Sequence, residues 1–192
     1  MQKKRLILPD HAVINQLNVS RETIYQLETY LALLEKWQPQ INLVSKTTLV
    51  DAWRRHILDS AQLVPFLPET GAHILDIGSG AGFPGLVLSI ITGNKLTLVE
   101  SDQRKTVFLR TIISELGLSA NVKNARIEAM PPLGATIVTV RALASVERLL
   151  VLLDKQLPSV ERCLFLKGAS LQEELTVIQS SPTIDYRIYP SV

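Results

Sequence analysis

At 192 residues the chain has the size of one domain and can bury a substantial core. Hydrophobic residues make up 46% and charged residues 20%, which excludes a disordered chain; the single cysteine, Cys163, excludes an internal disulfide framework and a cysteine metal cluster. A formal charge of +2 admits a nucleic-acid partner without requiring one. The longest apolar stretches fall well short of a membrane span and MQKKRLILP lacks a cleavage site, so the expected compartment is the cytoplasm.

The first 69 residues read as helical. Ser20 is placed to cap a helix whose Ile24, Leu27, Leu31 and Leu34 recur at helical spacing. Thr48, with Asp51 three positions later, resembles a capping box opening a second helix lined by Trp53, Ile57, Ala61 and Val64. That helix also carries Arg54, Arg55 and His56, where His56 and Asp59 share a face and can pair.

From residue 70 the pattern alternates. Strands are expected at His73–Leu75, Leu96–Val99, Asn121–Lys123, Ile137–Val140 and Cys163–Leu166. Helices are expected at Gly85–Ile91, Gln103–Leu116, Val146–Leu157 and Leu171–Ile178. Such alternation implies an α/β fold, a doubly wound, mostly parallel sheet with the N-terminal helices appended. The division is thus 1–69 for the helical extension and 70–192 for the α/β domain. Cys163, in the apolar strand RCLFL, is expected to be packed core.

The run HILDIGSGAGFPG, from His73 to Gly85, puts Asp76 at a strand end and glycine at every second position, Gly78, Gly80 and Gly82. Glycines at that density let the backbone turn tightly and approach a ligand within contact distance. Pro84 then suits the first turn of a helix, and the next strand ends in Glu100, placed to accept hydrogen bonds from a ribose diol. The dinucleotide pattern G-x-G-x-x-G would need a third glycine where Phe83 stands. D-x-G-x-G-x-G fits throughout, and resembles the first motif of S-adenosylmethionine (SAM)-dependent methyltransferases.

With these elements placed, the sequence resembles the RsmG (GidB) family of bacterial 16S ribosomal RNA guanine-N7 methyltransferases. The carriers are LLEKWQPQINLVS, RHILDSAQL, DIGSGAGFPG, LVESDQRKTVFLR, RIE, VRALA and LFLKG, in one order from Leu33 to Gly168. The resemblance implies a Rossmann-like enzyme moving a methyl group from SAM to a guanine of small-subunit ribosomal RNA. It puts cofactor contacts on Gly78, Phe83, Ile127, Glu128 and Arg141, to which the loop geometry adds Asp76, Gly80 and Glu100. Guanine N7 carries a lone pair and no proton, so alignment rather than a general base is the requirement. No Cys/His or Ser/His nucleophile arrangement is seen, and His11, His56 and His73 are too scattered for a metal site. A monomer is expected.

Each assignment has a competing explanation. Phe83 either packs helix on sheet or closes over the cofactor, and Glu128 taken alone would be a solvated charge. Arg141, the expected catalytic residue, ends an apolar strand. Its fork suits the SAM carboxylate, guanine O6 or an RNA phosphate, against which stands a structural ion pair with a helix. Lys167 repeats that placement one strand later, as a phosphate contact or a solvated lysine. Further RNA candidates are Lys3, Lys4, Arg5, Arg54, Arg55, His56, Arg104, Lys105 and Arg110, the helix surface near Asp102 being ordinarily charged.

The chain departs from the family pattern twice. GATIV stands where relatives carry an acidic residue entering the fourth strand, and TIDYRIYPSV supplies one last strand, making six where the fold normally has seven. An exposed edge and lower stability would follow. Two rival functions remain: a non-catalytic ribosome-assembly or RNA-binding module on an old methyltransferase fold, and a SAM enzyme with another substrate. Against an amine methylase, RALA at Arg141–Ala144 replaces the D/N-P-P-[YF] turn such enzymes show.

Overall fold

The computed structural model describes residues 7–69, 71–168, 171–178 and 185–191. Lys3, Lys4 and Arg5 lie outside them.

Three helices open the described chain. They are α1 (His11–Leu17), capped by Asp10, α2 (Arg21–Trp37) and α3 (Lys46–Leu49). Ser20 caps α2 as expected, accepting the Thr23 amide at 3.1 Å. Leu27, Tyr30, Leu31 and Leu34 form the buried face of α2, while Ile24 stays half-buried. The second helix differs from expectation. Ser45, not Thr48, is the cap, because its hydroxyl accepts the Thr48 amide at 3.2 Å and a short helix starts three residues earlier. The chain then widens into a π-helical turn, Trp53–Leu58, before one turn of α4 (Asp59–Ala61).

The sheet has five parallel strands in the order β3-β2-β1-β4-β5. They are β1 (His73–Ile77), β2 (Lys95–Glu100), β3 (Ala120–Asn124), β4 (Ile137–Arg141) and β5 (Arg162–Leu166). Each is one or two residues longer than expected, so Asp76 lies within β1 and Arg141 within β4. The helices between them are α5 (Gly85–Thr92), α6 (Gln103–Leu116) and α7 (Val146–Leu153), with α8 (Leu171–Ile178) after β5. The third ends four residues before its expected limit. Gln156 turns its side chain away to bind the Leu133 amide and the Pro131 carbonyl, and a 3-10 turn containing Pro158 follows.

One core joins β1 and β2 to α5, α6 and the N-terminal helices; a second packs α7 against β1 and β4. The N-terminal helices are therefore built into the first core, with α2 lying against α5 and α6. At the entry to β4 the Thr136 hydroxyl accepts the His73 amide at 3.2 Å.

The expected last strand does not form in the described residues. Asp185–Ser191 runs without strand structure; Thr183, Ile184 and Val192 lie outside the described residues. The segment makes side-chain contacts instead, the Tyr189 ring 4.5 Å from that of Phe66 and Ser191 Oγ 3.3 Å from Gln62 Nε2. Cys163 is half-buried rather than fully packed, and burial pushes its thiol up to about 11.

Candidate cofactor-binding site

The order β2-β1-β4 places the chain reversal between β1 and β4, and ligands of open parallel sheets bind beyond the carboxyl ends of strands flanking that point. There the chain gathers Gly78–Gly82 after β1, Glu100 at the end of β2, Ile127–Ala129 after β3 and Arg141 at the end of β4.

The glycine loop is shaped by hydrogen bonds its composition permits. Gly78, Gly80 and Gly82 all have positive φ, +64°, +56° and +97°, which side chains oppose. The amides of Gly78 and Ser79 donate to the Val99 carbonyl at 2.9 and 3.3 Å, and the Ser79 hydroxyl donates to the Asp76 carbonyl at 2.8 Å. The Gly80 amide donates to Glu100 Oε2 at 2.8 Å. Around Gly80 the space is open, with only the Gly78 carbonyl near a notional Cβ, at 3.8 Å.

Glu100 is buried, with Oε1 accepting the Asp102 amide at 2.8 Å. Its carboxylate is thus fixed at the strand end and joins the loop to α6. Asp76 is also buried. Thr139, its register partner on β4, donates to Oδ1 at 2.7 Å, while Oδ2 has no partner. Burial pushes the Asp76 carboxyl up to about 7, against the hydrogen bond from Thr139.

On the β3 side, Ile127 is buried among Ile77 and Val99, whereas Glu128 is exposed, with Lys155 Nζ 3.0 Å from its carbonyl. The exit from β3 is tied to β2 by the Ala125 amide and the Asn124 side chain, both donating to the Glu100 carbonyl.

Phe83 packs against the N-terminal helices. It is buried, its ring stacked on His56 at 4.7 Å and 17° and 5.1 Å from Tyr30, and it lies directly after the loop. His56 does not pair with Asp59. The π-helical turn spaces residues more widely than an α-helix, so three positions no longer share a face. Instead His56 Nε2 lies 3.1 Å from Thr48 Oγ1, and burial and the nearby Arg141 charge lower its pKa to about 3.

Asp59 turns to Arg141, its Oδ2 3.7 Å from Nη1, while Nη2 donates to the Arg55 carbonyl at 2.9 Å. The guanidinium carbon sits 5.9 Å from the Phe83 ring centroid. The ion-pair alternative for Arg141 is therefore present in geometry, yet Nη1 is buried with no hydrogen-bond partner. Lys167 is not a solvated lysine: Nζ contacts Glu174 Oε2 at 2.6 Å and donates to the Ala144 carbonyl at 2.7 Å. Arg54 is exposed and paired with Asp10 at 3.0 Å, Arg55 projects an exposed side chain, and Arg104 lies 3.6 Å from Asp102.

Three residues here escaped sequence reading. Thr139 is recognisable only once β4 is registered on β1; Tyr30 reads as part of the apolar stripe of α2; and Leu143, whose side chain lies over Gly78, follows Ala142 at φ +51°. Among the described residues no group of three or more His, Cys, Asp or Glu could hold a metal, and no helix is long and apolar enough to cross a membrane.

The residues fit SAM: a backbone cradle a Cβ would obstruct, a fixed carboxylate at the β2 end for a ribose, an Asp76 oxygen without a hydrogen-bond partner for an ammonium, and an Arg141 N–H, ion-paired at 3.7 Å but not hydrogen-bonded, for a carboxylate. Among solved structures, a SAM-dependent methyltransferase from Aquifex aeolicus matches 70% of this chain and 85% of its own at a TM-score of 0.52 and 15% identity, a likeness of fold. Among curated relatives, ribosomal RNA small subunit methyltransferase G of Paramagnetospirillum magneticum is 44% identical over 180 residues, covering 94% of this chain and 88% of the relative. That of Parvibaculum lavamentivorans is 48% identical over 181 residues, covering 91% and 80%. The family model for rRNA small subunit methyltransferase G (GidB) matches residues 23–192, and the chain belongs to that family.

Proposed function

We infer that this chain transfers a methyl group from SAM to N7 of a guanine in 16S ribosomal RNA. The observation that carries the reading is the intact strand-end assembly, with the glycine loop locked onto Glu100, in a chain of this family. When bound, SAM supplies an electrophilic methyl on a sulfonium. The protein's own residues bind, orient and exclude water.

Gly78 and Gly80 leave room for the cofactor's approach, Glu100 holds the ribose hydroxyls, and Asp76 takes the ammonium on its unpartnered oxygen. Ile127 walls the adenine, with Glu128 beside it. Phe83 closes the near side, its ring held by His56 and Tyr30. His56, kept neutral, offers Phe83 an uncharged stacking partner and no proton. Arg141 is the expected catalytic residue. Arg55 holds Nη2, and Nη1, 3.7 Å from Asp59 and without a hydrogen-bond partner, faces the SAM carboxylate or guanine O6. N7 has no proton to lose, so holding donor and acceptor in line is the main task, worth on the order of 7–11 kcal/mol.

For the RNA, exposed Arg54 and Arg55 on the π-helical turn are the favoured phosphate contacts. Lys167 joins them only by exchanging Glu174 for a phosphate. In this reading residues 1–69 present the RNA and 70–192 bind the cofactor, and the enzyme acts as a monomer in the cytoplasm. The test is transfer of label from tritiated SAM to naked 16S ribosomal RNA, assembly intermediates and finished small subunits. Label in at least one arm is expected. No label in any arm, from protein that binds SAM, favours the non-catalytic RNA-binding alternative.

A further inference from the structure

Tyr30 lies mid-way along α2, fully buried, and its hydroxyl donates to the Ala81 carbonyl at 2.5 Å across 51 residues of chain. Its ring stands 5.1 Å from that of Phe83. The loop complements it: a Cβ on Gly82 would come 2.9 Å from Tyr30 Oη, so the glycine at 82 is what lets the phenol reach the loop. The bonds to Val99, Asp76 and Glu100 hold Gly78, Ser79 and Gly80. Tyr30 holds the second half, where Ala81 is itself buried and its carbonyl would otherwise need another donor. Burial and the nearby Asp76 charge hold the phenol protonated, so it remains a donor.

We propose that Tyr30 is a positioning residue for the cofactor, its hydroxyl fixing the Ala81 peptide so that the turn from Gly80 to Phe83 is set before SAM arrives. The proposal rests on the cofactor reading above. A loop with three positive-φ glycines has much backbone freedom to lose on binding, and a loop already ordered loses less of it. The N-terminal helices thereby belong to the cofactor site through α2, as well as to the Arg141 side through Arg55 and Asp59.

The test is Tyr30→Phe, which keeps the ring packing and removes the donor, compared with Ile112→Ala, a buried change in the later half of α6. Calorimetry gives the SAM Kd, steady-state transfer gives KM for SAM against kcat, and thermal unfolding gives Tm. For Tyr30→Phe the Kd and KM for SAM are expected to rise about five- to tenfold, with kcat at saturating SAM within about twofold of the parent. Ile112→Ala is expected to lower Tm at least as far while leaving KM for SAM unchanged. Parental SAM affinity in folded Tyr30→Phe, or an equal KM rise in Ile112→Ala, overturns the proposal. A parent that binds no SAM overturns the cofactor reading instead.

Discussion

Alanine substitutions through the glycine loop separate binding from stability, because the three positive-φ glycines face different surroundings. Gly80→Ala puts a methyl into open space, so its stability cost is the left-handed backbone alone, ~1–2 kcal/mol. Gly78→Ala meets Leu143 Cδ1 at 2.7 Å, but Leu143 is 41% exposed and free to swing outward, so the cost stays in the same range. Gly82→Ala drives its methyl against Leu86 and to 2.9 Å from Tyr30 Oη, both side chains fully buried, which adds an overpacking cost of ~1–3 kcal/mol. For a chain of this length each kcal/mol lowers Tm by ~2–4 °C. Thermal unfolding should therefore rank Gly82→Ala well below the other two. Calorimetry should not follow that ranking: Gly78→Ala and Gly80→Ala, though well folded, lose SAM affinity by about tenfold or more because the added methyl stands where the ligand approaches. Parental SAM affinity in both of these variants would refute the site, and Gly82→Ala as the mildest of the three would refute the packing argument.

Replacing Arg141 by Ala should lower single-turnover methyl transfer by roughly two orders of magnitude, and lysine should restore little, because an ammonium cannot serve Arg55, Asp59 and a ligand from one planar fork. Near-parental rates in folded Arg141→Ala would assign the residue to the ion pair with Asp59 alone. Buried Asp76 has its pKa raised to about 7 from 3.8, so its contribution to stability is fully present below pH 3.8 and is lost as pH rises through about 7. Chemical denaturation should show the parent losing stability relative to Asp76→Asn between about pH 4 and 7; parallel profiles would contradict the burial argument. His56 has the opposite sign, its pKa lowered to about 3, and its contribution is lost as pH falls from 6.5 towards 3. The half-buried Cys163 thiol, raised to about 11, should label slowly with a thiol reagent at pH 8 and quickly once the protein is unfolded.

Strands β1, β2, β4 and β5 were legible because each is a short apolar run, whereas β3, ANVKN, is mostly polar; the D-x-G-x-G-x-G spacing marked the loop outright. Boundaries slipped where side chains overrode periodicity. Ser45 took the cap from Thr48, Gln156 ended α7 early by binding back to Pro131, and Asp185–Ser191 engaged Phe66 and Gln62 in place of a sheet edge. The His56–Asp59 pair failed for a reason that no α-helical wheel contains, a π-helical turn. The Tyr30–Ala81 bond, the Thr139–Asp76 bond and the Arg141–Arg55 bond join residues 51, 63 and 86 positions apart. Such pairings exist only after β1 is set between β2 and β4 and the N-terminal helices are packed over α5. The glycine loop announced a ligand; the residues that hold it in shape were invisible until the chain was folded.

The central claim is best tested by locating the methyl group. Small-subunit ribosomal RNA labelled by the parent protein is reduced with borohydride and treated with aniline, which cuts the strand at N7-methylguanine and leaves exocyclic or ribose methylation intact. One cut at a single guanine, dependent on SAM and absent when folded Arg141→Ala replaces the parent, is the predicted result. Labelled RNA that resists cleavage would place the methyl on another atom and contradict the account.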